Sequence, residues 1–152
     1  MSAALFKRCA LLLAVLPALA ACQQDAGTSA NVPGGGKPTV AYDGIAQGDT
    51  IRFTGTEPFW GGSISGAMLT YSTPENPDGQ TFSVERFAGN GGLGFTGKMD
   101  EAAFNMAVTP GDCSDGMSDR TYPFVVTLQL GEQTRNGCGW TDSQPFKGDP
   151  NP

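Results

Sequence analysis

Beyond its first twenty residues, the chain alternates apolar and polar positions with a period of two, bounded by Gly, Pro, Asn and Asp. Period two places one face of an extended segment in a core and the other in water, so these runs read as strands. The clearest covers residues 122–130: Phe124, Val126, Leu128 and Leu130 share one face, and Val125, Thr127 and Gln129 the other. A turn at Gly131-Glu132-Gln133 would return the chain as a hairpin partner over 134–140. Phe104, Met106 and Val108 alternate with Asn105, Ala107 and Thr109. Phe82 and Val84 oppose Ser83 and Glu85 within 80–87, and Ile51 and Phe53 oppose Arg52 and Thr54. Residues 63–72 read as one longer strand of undefined facing, and 39–42 and 92–96 as weaker ones. A helical turn is expected near 100–104, where Asp100 precedes good helix formers.

Nowhere after the leader do apolar residues recur at helical spacing over three turns. Seven or eight strands at this length give an all-β fold, a single small antiparallel β-barrel or sandwich over residues 39–141. The tail, 142–152, is rich in turn formers and is expected to be disordered.

The N-terminus follows a different pattern. Lys7 and Arg8 precede an apolar run from Ala10 to Leu19, then small Ala20 and Ala21. That run is about half of what a membrane-spanning helix needs, so residues 1–21 read as an export signal. Leu19-Ala20-Ala21-Cys22 looks like a bacterial lipobox, which makes Cys22 the acylated first residue of the mature chain. Residues 22–38 contain almost no large apolar side chain and form a flexible tether of roughly 20–25 Å reach. Gln23 after the cysteine resembles the sequence of lipoproteins sent to the outer membrane, with the domain facing the periplasm.

In an exported protein, cysteines are usually oxidised. Cys9 leaves with the signal and Cys22 takes the lipid, so Cys113 and Cys138 remain as a disulfide pair. The loop they would close, of about 25 residues, contributes roughly 3 kcal/mol on the chain-entropy estimate. The chain has no histidine, and with no third thiol a zinc site has no ordinary ligand set. Loss of Lys7 and Arg8 leaves seven basic residues against fifteen acidic ones. That balance argues against nucleic acid, whose phosphates need clustered Lys and Arg. It equally disfavours anionic headgroups, leaving anchoring to the acyl chains, more than one of which is needed for stable attachment. An acidic surface favours encounter with cationic partners.

Two segments stand apart from the strand pattern. In Gly55-Thr56-Glu57-Pro58-Phe59-Trp60-Gly61, Pro58 turns the chain and Phe59 and Trp60 present large aromatic faces. These rings either plug a barrel end or stack on a partner, with Glu57 as a nearby acceptor. In residues 111–123, Asp112, Asp115, Asp119, Ser114 and Ser118 can bond their own backbone and build a compact loop around Cys113. Arg120 could pair with Asp115 or Asp119. Calcium is the sharper use of the three aspartates, but their spacing is not that of a helix-loop-helix calcium site, and no metal is assigned. Glu57, Phe59, Trp60, Asp112, Asp115, Asp119 and Arg120 are therefore the partner-binding candidates.

Catalysis has little support. Without histidine there is no Ser-His-Asp or Cys-His constellation. No acidic pair is singled out for glycoside cleavage. Gly62-Ser63-Ile64-Ser65-Gly66 lacks the nucleophile-elbow spacing. Gly89-Asn90-Gly91-Gly92-Leu93-Gly94 leads into a strand-like run, not a helix, so no phosphate or dinucleotide cofactor is expected.

Gly-Thr-Glu-Pro-Phe-Trp at 55–60, Cys-Ser-Asp-Gly-Met-Ser-Asp-Arg at 113–120, Tyr-Pro at 122–123 and Gly-Cys at 137–138 resemble the marks of one bacterial family of envelope lipoproteins. Its members are usually described only as uncharacterised or predicted membrane proteins, so the resemblance implies a location and no activity. Where that family often has Ala-Arg after the last cysteine, this chain has Gly139-Trp140. A shorter stretch, Ser65-Gly66-Ala67 followed by Tyr71, is similar to the inhibitory Ser-Gly segment of membrane-bound inhibitors of C-type lysozyme. Those are lipid-anchored β-barrels too. The resulting expectation is a lipid-anchored, non-catalytic envelope binding module, in its most concrete version an inhibitor of a cationic cell-wall hydrolase such as lysozyme, with a small carboxylate- or metal-dependent hydrolase as the alternative.

Overall fold

The computed structural model describes residues 40–149. The signal segment, Cys22 and the tether lie outside the described residues. Eight strands follow one another: β1 (Ile51–Thr56), β2 (Phe59–Ser65), β3 (Met68–Thr73), β4 (Asn76–Ala88), β5 (Leu93–Met99), β6 (Ala102–Cys113), β7 (Tyr122–Leu130) and β8 (Gln133–Thr141). Each pairs antiparallel with the next, and β1 pairs with β8, closing an up-and-down barrel. No described residue is helical. Closure pairs the outer strands with each other and leaves no free sheet edges except where a ladder stops short.

The alternation read from the sequence sets the facing. Phe124, Val126 and Leu128 of β7 and Phe104, Met106 and Val108 of β6 point inward and are buried, with exposed or half-buried residues between them. Eight strands leave an interior that side chains can fill, and here aromatics dominate it: Phe53, Trp60, Phe95, Phe104 and Phe124 are all at most 3 % exposed. At one end Ile45 plugs the interior. Its carbonyl accepts from the Arg86 guanidinium at 2.6 Å, and Tyr42 N–H donates to Gly89 O.

Several local expectations change. Residues 63–72 are not one strand, because Gly66, with φ of 58°, reverses the chain between β2 and β3. The segment near 100–104 is a turn into β6 and not a helix; Asp100 adopts φ of 54°, and strand pairing from Met99–Ala102 onward outweighs local propensity. No strand forms over residues 40–42. Residues 142–149 pack against the barrel: the Asp142 carboxylate pairs with Arg52 at 2.6 Å, and Lys147 exchanges two 2.9 Å backbone bonds with Thr121. Phe146 closes an aromatic cluster with Tyr122 and Trp140, at centroid distances of 5.4 and 5.7 Å. That apolar contact is what the turn-rich composition concealed.

Candidate functional site

The Cys113–Cys138 disulfide forms, with Cα atoms 5.6 Å apart. It spans from β6 to β8 because β6 carries an irregularity between Pro110 and Cys113, where one extra residue opposes β7. A bulge of this kind re-aims the side chain that follows it. The loop after Cys113 is thereby held against the end of β1. There the Thr56 hydroxyl donates to the Asp115 carbonyl at 3.1 Å, tying together the two segments singled out by composition.

Between them lies a cleft of about 460 Å³. One wall is Thr54, Gly55, Thr56 and Glu57, the opposite wall is Thr134 to Gly137 of β8, and residues 113–115 with Val125 complete the lining. The walls part because the β1–β8 ladder has only four pairs and stops at Thr54–Cys138, whereas β7 and β8 pair over seven positions. Beyond that point β8 has a ladder partner on one side only, while the main chain of Thr54 and Gly55 still lies against Gly137 and Asn136.

Asp115 anchors the loop. Its Oδ1 accepts from Met117 and Ser118 N–H at 3.0 and 2.8 Å, and its Oδ2 from the Ser118 hydroxyl at 2.8 Å and the Tyr122 hydroxyl at 3.1 Å. Burial pushes its pKa up, but these four donors outweigh burial and lower it to about 2. The group is an ionised structural acceptor. The Tyr122 hydroxyl is raised above the usual range, by burial first and by the Asp115 charge, against a lowering hydrogen bond from Arg120.

The other candidates separate. Glu57 is exposed at the rim of the cleft. Phe59 is 52 % exposed and lines a second depression of about 280 Å³ on the far side of β1, with Ser72, Thr73 and Pro74; Thr54 and Gly55 border both. Trp60 is not a surface anchor. It is 3 % exposed inside the barrel, 5.6 Å from Phe53 and 6.0 Å from Tyr71 by ring centroids. Its place on β2 opposite Gly55 turns it inward, where the absence of a side chain makes room: a Cβ on Gly55 would lie 2.0 Å from the indole Nε1, and one on Gly137 2.9 Å from its ring. Nε1 has no hydrogen-bond partner among the described residues.

Asp112 and Asp119 are exposed and do not line the cleft. Arg120 faces the C-terminal segment, 4.7 Å above the Phe146 ring and donating to Asp149 O at 2.9 Å. Among the described residues, no three His, Cys, Asp or Glu side chains are placed to hold a metal ion.

The sequence reading missed the β8 wall. Arg135 there faces the interior, donating to the Tyr71 hydroxyl and to Gln133 Oε1. Burial raises the Tyr71 pKa, opposed by the Arg135 charge. The usable signal was Gly137 beside Cys138, a small residue at a disulfide where another backbone approaches closely. No protein-family model, curated protein or solved structure matches the chain.

Proposed function

We propose that this chain is a lipid-anchored, non-catalytic binding module of the bacterial cell envelope, whose recognition surface is the cleft between Glu57 and the Asp115 loop, flanked by Phe59. The most concrete partner is a cationic cell-wall hydrolase such as lysozyme. Acylation at Cys22 and placement at the outer membrane, facing the periplasm, rest on the sequence. One observation carries the recognition surface: two segments of unusual composition, nearly sixty residues apart, border one cleft on a rigid scaffold and are joined by the Thr56–Asp115 hydrogen bond. The formal charge of −6 supports a basic partner by speeding encounter. Asp115 fits a binding surface better than acid catalysis, because its four donors hold it ionised when a general acid needs a raised pKa.

Inhibition of a cationic C-type lysozyme by the purified protein, at low and at physiological salt, tests the reading. Salt-sensitive inhibition weakened by Glu57→Lys is expected. Absence of inhibition and of binding at either ionic strength would end it. A thermal shift on adding calcium or zinc would favour the hydrolase alternative, since an ion at one hundred times its Kd adds about 2.7 kcal/mol to the folded state. Radiolabelled palmitate should enter the wild type and not Cys22→Ala.

A further inference from the structure

Two of the most exposed apolar side chains among the described residues lie at one end of the barrel: Val40 is 83 % exposed and Phe87 69 %. Phe87 points outward from β4, and Gly94, its partner on β5, has no side chain to cover the ring. A Cβ on Gly89 would lie 3.5 Å from that ring, and Gly89 O accepts from the N–H of Tyr42, two residues after Val40, at 2.7 Å. Single apolar residues on a surface are ordinary; what sets this pair apart is its place. The chain enters the barrel here, since the described residues begin at Val40, directly after the stretch whose composition reads as a tether. The strands alternate in direction, so the β4–β5 turn lies at the opposite end of the barrel from the Glu57 turn between β1 and β2. Around the ring, β4 and β5 also stand across from β8 and β1. The apolar pair and the cleft therefore face away from each other.

We propose that Val40 and Phe87 form a membrane-contacting face, which sinks into the headgroup region of the bilayer holding the Cys22 lipid and turns the cleft away from that bilayer; this rests on the lipid-anchored reading above. A tether of roughly 20–25 Å reach keeps residue 40 near the surface. Contact within one anchored molecule is intramolecular, so the high effective concentration lets two apolar side chains suffice where they would not hold a free protein. The contact is apolar and not electrostatic. Asp43 and Glu85 are the exposed charges beside the pair among the described residues, and Arg86 turns inward to donate to Ile45 O at 2.6 Å. Carboxylates disfavour anionic headgroups, so a zwitterionic surface is the fit.

Hydroxyl-radical footprinting read by mass spectrometry tests this, comparing the full acylated protein in phosphatidylcholine vesicles with the Cys22→Ala chain free in solution. Oxidation of Phe87 should fall about threefold or more on the vesicles. Phe59, 52 % exposed at the opposite end, should keep its solution rate. Phe87→Ser should leave the melting temperature unchanged and return Val40 on vesicles to its solution rate. Adding phosphatidylglycerol should not deepen the protection. Equal oxidation of Phe87 in both states, protection of Phe59 in its place, or protection only on anionic vesicles would each overturn the membrane face. Protection of Phe87 that grows with protein concentration in solution and gains nothing on vesicles would assign the patch to a second copy of the chain and overturn it as well. The anchored reading fails separately: a wild type that takes up no palmitate removes the anchor, whereas an acylated protein with Phe87 oxidised as in solution discards the membrane face alone.

Discussion

Trp60→Ala should cost about 3 kcal/mol of stability. The indole is 3 % exposed and packs against Phe53 and Tyr71, and truncating such a ring to Ala costs about 3–5 kcal/mol in lost transfer and cavity energy. The unpartnered Nε1 moves the value to the low end, because a buried donor without an acceptor costs about 1–3 kcal/mol that the truncated protein no longer bears. Trp60→Phe removes that donor and keeps most of the ring, so its cost should stay within about 1 kcal/mol. Urea unfolding followed by far-ultraviolet circular dichroism measures both. With a slope of about 2 kcal/mol per molar, Trp60→Ala should lower the midpoint by about 1.5 M without changing the slope. A shift under about 0.3 M would show that Trp60 is not in the core. A Trp60→Phe variant as damaged as Trp60→Ala would show that Nε1 has a partner after all.

Asp115 gives an acid-side signature. Its folded pKa of about 2 lies below the ordinary 3.8, so its stabilisation is fully present above about pH 4 and lost as pH falls toward 2. Asp115→Asn should flatten that part of the stability–pH curve and cost about 1–2 kcal/mol at neutral pH, as judged by denaturation across the range. Removing both cysteines, as Cys113→Ser with Cys138→Ser, should cost about 3 kcal/mol for a separation of 25 residues; a reductant should then leave the double variant unchanged while destabilising the wild type. Gly55→Ala should cost about 2 kcal/mol, because the new methyl meets the indole. Gly48→Ala, where nothing lies within 4 Å, should be near neutral in the same melts.

The fold was legible where one face of a strand is buried. β7 and the inward faces of β6 and β1 follow from period two, since a one-residue slip would turn Phe124 or Phe104 to water. The disulfide followed from the expectation of export and the count of cysteines. Closure as a barrel and not a sandwich was not legible, because both demand the same alternation. The β2–β3 turn was hidden inside Ser65-Gly66-Ala67, flanked by residues that suit a strand. Trp60 was ambiguous because its environment is made by Gly55 and Gly137, one across the hairpin and one far along the chain. The cleft needed three dimensions: its β8 wall is defined by where the ladder to β1 stops, a register fact with no local sequence mark.

The most direct measurement is an amide hydrogen-exchange map of the protein with and without a saturating cationic C-type lysozyme. Protection gathered at Thr54 to Glu57, Ser114 and Asp115, and Thr134 to Gly137, and reduced by Glu57→Lys, is the expected result. Lysozyme-dependent protection confined to another face of the barrel, or none at concentrations that saturate any bimolecular complex, would contradict the assignment of the cleft as the recognition surface.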